Sequence, residues 1–122
     1  MAVKAIELIK TGAMNTAVAA VFTAITTGGA TVPIGKDERL AFVATNANAA
    51  AKKVIVAKGD GLNAAAANLE ISVPAPVETV PQYVVFELDS SRYGQMSGDN
   101  KGHFHITSDA GADVSIMPVQ LV

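Results

Sequence analysis

Hydrophobic positions along this chain recur mostly with a period of two, and they come in short runs. Over residues 69–73, Leu69, Ile71 and Val73 fall on one side while Glu70 and Ser72 fall on the other; near the C-terminus Val114 and Ile116 oppose Asp113, Ser115 and Met117. A strand with one buried and one solvated face needs this alternation. Further β-type runs occupy residues 18–25, 30–34, 40–45, 53–58, 82–88 and 103–107. Between them lie turn signals at Gly28-Gly29, Gly35-Lys36-Asp37, residues 46–48, Gly59-Asp60-Gly61, Pro74-Ala75-Pro76, Gly94, Gly98-Asp99-Asn100 and Asp109-Ala110-Gly111. They recur roughly every ten residues. About eight short strands at this spacing predict an all-β fold, an antiparallel β-sandwich or a jelly-roll-like barrel. The run Tyr83-Val84-Val85-Phe86 is apolar on both faces, as a strand is when buried between layers or against a partner subunit.

Helical signals are few. The four alanines at residues 64–67 favour helix by propensity, but they are flanked by asparagines and are too short for a stable isolated helix, so a loop of small side chains is expected. Residues 1–16 contain no turn signal before Gly12 and read as an extended N-terminal arm, with residues 17–122 forming one β-sandwich domain. Internal repeats and interdomain linkers are absent from the sequence.

Composition narrows the function classes. At 122 residues and 12.5 kDa the chain is one domain, long enough for an ordinary core. Without cysteine there is no thiolate nucleophile, disulfide framework or sulfur-ligated zinc. Nine basic residues against eleven acidic ones give a net charge of -2, so there is no basic field to hold a nucleic acid. The N-terminal residues mix both charge signs with single apolar residues, unlike a signal peptide. Residues 11–35 carry no charge, yet this stretch of 25 residues is broken by six threonines, four glycines and Pro33. That pattern does not suit a membrane span; it suits burial, within one subunit or between subunits.

Candidate chemistry is sparse. His103 and His105 lie two apart in a strand, which puts both imidazoles on one face about 7 Å apart, as in metal sites on jelly-roll barrels. No third histidine exists to complete such a site, and Asp109 reads as a turn residue. Ser90, Ser91, Asp89 and His103 supply the types of a nucleophilic triad, but no strand-to-helix elbow frames either serine. Asp37 and Glu38 sit between Lys36 and Arg39 and read as a solvated turn rather than, with Asp89, as an acid–base pair. Gly59-Asp60-Gly61 has no following Gly-Lys-Ser/Thr and reads as a turn that closes a strand where positive φ is needed. Four Phe, two Tyr and no Trp argue against aromatic platforms for sugars or single strands. The expectation is a non-enzymatic domain without metal or cofactor that acts through its surface.

Four segments in order, residues 37–46 (DERLAFVATN), 53–61 (KVIVAKGDG), 68–74 (NLEISVP) and 86–93 (FELDSSRY), resemble the small decoration proteins of tailed-bacteriophage heads. The similarity spans roughly residues 29–121 and rests on the order and spacing of these segments. It implies a structural virion protein on the capsid exterior, made in the host cytoplasm and commonly trimeric, that bridges neighbouring major capsid protein subunits. Another virion role, in the tail or the head–tail connection, would be served by the same fold; a carbohydrate-binding module and a His-metal jelly-roll domain are rivals from other classes. The alanine loop, Pro74-Ala75-Pro76 and the His103/His105 strand depart from the pattern. Within this resemblance Ile6, Leu8 and Ile9 are the expected anchors of an arm that adds to a neighbour's sheet edge. At the polar corner Arg92 is expected to pair with a carboxylate while Tyr93 packs, and both join the candidate interface.

Overall fold

The computed structural model describes residues 3–109 and 111–121; the first two residues of the arm, Ala110 of the last turn signal and the final Val122 lie outside the described residues. Among the described residues ten strands are arranged in two facing sheets: β1 (Lys4–Ala5), β2 (Ile9–Lys10), β3 (Thr23–Ala24), β4 (Ala30–Pro33), β5 (Leu40–Asn46), β6 (Lys52–Val56), β7 (Leu69–Val73), β8 (Tyr83–Glu87), β9 (His103–Ser108) and β10 (Val114–Gln120). The first sheet runs β1-β4-β9-β6-β7 and the second β2-β10-β5-β8, with β3 also paired to β10. The fold is thus the all-β sandwich that the alternation predicts. The pairings among β3 to β10 are antiparallel, whereas β1 on β4 and β2 on β10 are parallel, so both sheets are mixed.

The inward row of each strand supplies the core. Val32, Phe104, Ile106, Val54, Val56 and Val73 come from the first sheet, and Phe42, Ala44, Val114 and Ile116 from the second. Phe42 joins the layers: its ring stacks on Phe86 of its own sheet at 5.1 Å and meets Phe104 of the opposite sheet edge-on at 5.8 Å. Such edge-to-face geometry sets the negative face of one ring against the positive rim of the other.

The N-terminal segment does not project from this body. Lys4 and Ala5 pair with β4, Ile9 and Lys10 pair with β10, and Ile6 between them is 4% exposed in the core, with Leu8 packed partly against it. The segment crosses from one sheet to the other and closes that side of the sandwich. Burying Ile6 and Leu8 in the chain's own core removes them as free anchors for a neighbour. Only Ile9 retains a partly exposed position on an edge strand.

Residues 18–25 form less strand than their composition predicts. Only Thr23 and Ala24 pair, with Ile116 and Ser115 of β10, because the edge of β10 ahead of them is already taken by β2. Every residue from 12 to 21 is exposed and none is in a strand or helix. Gly12 and Asn15 there have positive φ, at 74° and 61°. The tight turn at Gly28-Gly29 is as expected: Gly29 donates to the Thr26 carbonyl at 2.9 Å, has φ 92°, and a Cβ on it would lie 3.1 Å from His105 Nε2. Glycine is required there on both counts.

Candidate interaction surface

The residues singled out for chemistry are dispersed and individually engaged. Asp89 caps the single helical turn α1 (Ser90–Tyr93), accepting from the Ser91 N–H at 2.8 Å and the Ser91 hydroxyl at 2.7 Å. Asp37 accepts from the Ser90 hydroxyl at 2.8 Å and the Ser90 N–H at 3.2 Å. Both serine hydroxyls therefore donate to carboxylates, and His103 Nδ1 lies 3.0 Å from the Lys101 carbonyl, so no serine–histidine pair is assembled. Asp37, Glu38, Glu87 and Asp89 line a shallow groove of about 380 Å³, where the first and last are held by α1 and Glu38 occupies the left-handed region at φ 68°.

His103 and His105 do share the outward face of β9, while Phe104 and Ile106 point inward. His105 Nε2, however, is buried beneath the Gly29 turn without a hydrogen-bond partner. Among the described residues no group of three or more His, Asp or Glu side chains converges as a metal site would need. Asp109 ties β6 to β9 by accepting from the Lys53 N–H at 2.8 Å.

Gly59 has an unexpected requirement. Its φ is not positive; a Cβ on it would lie 2.7 Å from the Gly94 carbonyl oxygen and 2.9 Å from that of Arg92. The glycine permits two loops to dock closely, with the Gly59 and Ala65 N–H groups both donating to the Arg92 carbonyl. Arg92 thus braces the corner through its main chain; its exposed side chain makes no ion-pair contact within 4.0 Å among the described residues, contrary to expectation, although its charge adds to the Ser91 hydroxyl and N–H in holding the Asp89 carboxyl below its ordinary value, while Tyr93 packs against the core.

Asp60 completes this loop junction by accepting from the Ser97 hydroxyl and the Met96 N–H. The Ser97 hydroxyl and then the Met96 N–H hold its carboxyl below the ordinary 3.8, and the Ser91 hydroxyl and N–H do the same for Asp89. A carboxyl whose folded pKa is depressed contributes stability that is present above the unfolded value and lost as pH falls through the folded one. The thermal midpoint is expected to fall on acidification below pH ~4, and Asp60→Asn to flatten part of that fall while lowering the midpoint at neutral pH. Melting curves from pH 2 to 7 that superimpose in shape for both proteins would contradict this assignment.

The two outer sheet faces differ sharply. On the first sheet the outward positions are mostly polar, Thr31, His103, His105, Thr107, Lys53, Glu70 and Ser72, with Ile55 and Pro33 among them and Lys53 and Glu70 in a 2.8 Å ion pair. On the second, register aligns Met117, Val43 and Val85 in one row and Ser115, Thr45 and Tyr83 in the next. The third row, Val119, Ala41 and Glu87, holds the only charge of these nine positions. Phe22 lies over this face with its ring 5.7 Å from that of Tyr83. Strand β8 is the edge of this sheet, with Val84 and Phe86 turned inward and Tyr83 and Val85 outward, 56% and 66% exposed. Of the two placements its apolar pattern allowed, burial between layers does not occur. The alternation of Tyr83 and Val85 without polar residues was the sequence signal for this face; that β8 ends the sheet was not encoded in any local pattern.

The site is therefore a surface: a sheet face poor in charge, an edge strand with apolar flanks, and ten consecutive exposed, uncharged residues at 12–21. Comparison of the chain with models of known families, with curated proteins and with solved structures gave no match.

Proposed function

We propose that this chain is a structural virion protein that decorates the outside of a phage capsid as a homotrimer and stabilises the shell by bridging major capsid protein subunits. The observation that carries it is the contrast between the two outer faces, one mostly polar and one whose nine aligned positions carry a single charge, Glu87, with Asp113 at its end. A rigid sandwich with one apolar face is suited to being covered by protein. The decoration-protein resemblance over residues 29–121 supplies the identity of the covering assembly, and many copies on a lattice turn weak single contacts into firm attachment.

Co-sedimentation with capsids that lack this chain tests the proposal. Saturation at a fixed ratio to the major capsid protein, with a higher melting temperature of the decorated shells, is the expected result. Purified chain that stays in the supernatant at every capsid concentration overturns it, and saturable binding to isolated tails would assign the protein to another part of the virion.

A further inference from the structure

Residues 17–22 (Ala-Val-Ala-Ala-Val-Phe) have the composition of a strand and no strand partner in their own chain. Strand β8 has β5 on one side and, among the described residues, no strand on the other. It also carries few of the features by which edge strands discourage pairing: no lysine, no proline within the strand, and one charge, Glu87, at its end. The main chain of the exposed segment joins β2 to β3, both paired with β10, whereas β8 lies beyond β5; the ring of Phe22, at the segment's end, reaches over the outer face to Tyr83 and leaves the open edge of β8 unpaired.

We infer that the partner of β8 is the 17–22 region of a second copy of this chain, so that the second sheet continues from subunit to subunit. The contact is heterologous: each copy offers its exposed segment to one neighbour and its open edge to the other, and such contacts either close into a ring or propagate as a filament. The inference deepens the decoration reading, on which the number three rests.

Size favours a closed ring over a pair. Standard interfaces bury roughly 30–40 Å² per participating residue, so the six donor residues and the five of β8 would bury on the order of 400 Å² per contact, well below the ~1,000 Å² of a stable pair. In a ring each subunit is held by two such contacts, and removing it breaks both at once. Charge is consistent as well: residues 12–21 have none, and Glu87 lies at the rim of the strand, so no unpaired charge is trapped in the contact. Main-chain hydrogen bonds along the β8 edge supply direction, and the outward Val85 meets apolar side chains of the donor beside Tyr83, which its own chain's Phe22 already touches.

The absence of cysteine permits a direct test. Light scattering on the purified chain should give the mass of a trimer. Val85→Lys and Val18→Lys each place a charge at an exposed position of the acceptor and the donor, 66% and 46% exposed, and each should yield a folded monomer with unchanged circular dichroism. Of the double variants Ala19→Cys with Val85→Cys and Ala20→Cys with Val85→Cys, at least one should form covalent dimers and trimers on mild oxidation, with each single variant stopping at dimers. A monomeric wild type at tens of micromolar overturns the inference, as does a trimer that survives both lysine variants and gives no covalent trimer. The outcomes separate from those of the decoration reading. A monomer that still saturates capsids, and loses that binding on Val85→Lys, would assign the β8 edge to the capsid protein instead; a trimer that ignores capsids would leave the subunit contact standing and remove the decoration role.

Discussion

Replacing Phe42 with alanine is expected to cost about 3–5 kcal/mol of folding stability, the range for deleting a fully buried aromatic side chain. Phe42 is completely buried at the centre of β5, and its ring is the one that touches aromatic partners in both layers, Phe86 at 5.1 Å and Phe104 at 5.8 Å. Removal takes away the transfer free energy of the ring and leaves a cavity between two sheets whose main chains are fixed by ladders on either side, so little collapse can fill it. A domain of this size has roughly 5–15 kcal/mol in total. The variant should therefore be largely unfolded at the growth temperature of a mesophile, or show a urea midpoint reduced by half. Phe42→Leu, which keeps much of the volume but loses the stacking, should recover more than half of the loss. A midpoint for Phe42→Ala within the error of the wild type would mean that the sheets are not joined through this ring.

How much of this architecture was legible in the sequence depends on the range of the interaction. Period-two runs at 69–73 and 114–117 identify the inward residues of β7 and β10, because alternation follows from the pleat itself. The Gly28-Gly29 turn is legible for the same local reason. The pairings of Lys4–Ala5 and Ile9–Lys10 are not, since two-residue parallel ladders leave no pattern and their partners lie in β4 and β10, far along the chain. Equally hidden was the role of Gly59, whose constraint comes from a carbonyl at residue 94, and the edge position of β8, which depends on strand order. The candidate surface is split in the same way: Tyr83-Val84-Val85-Phe86 and the uncharged residues 11–35 stand out by composition, whereas the edge position of β8 and the exposure of residues 12–21, between β2 and β3, are properties of topology.

Asn46 shows the same division within a single side chain and yields the second large prediction. Sequence places it at the head of a turn, and it does start one: its Oδ1 accepts from the Asn48 N–H at 2.9 Å, as Asn commonly does two residues ahead. Yet it is 1% exposed, and its Nδ2 donates to the Ala50 carbonyl at 2.9 Å and to the Val73 carbonyl of β7 in the opposite sheet at 3.2 Å. The amide therefore fastens one end of the sandwich across its layers. Asn46→Asp keeps the shape and the acceptor but turns an oxygen toward both carbonyls in a buried site. Leaving the buried Val73 carbonyl unmet costs about 1–3 kcal/mol, while that of the exposed Ala50 can turn to water; placing a carboxylate there adds a desolvation penalty, so a loss of about 3–4 kcal/mol is expected at neutral pH. Burial raises the folded pKa of such an aspartate above its unfolded value, so the penalty is present above that raised pKa and shrinks as acid protonates the group, which then donates to one carbonyl. Asn46→Ala should lose about 2–3 kcal/mol with no such recovery. Urea unfolding of both variants and the wild type at pH 7 and pH 4 measures the difference. Equal deficits for Asn46→Asp at the two pH values would show that the side chain reaches water and that the two sheets are not fastened there.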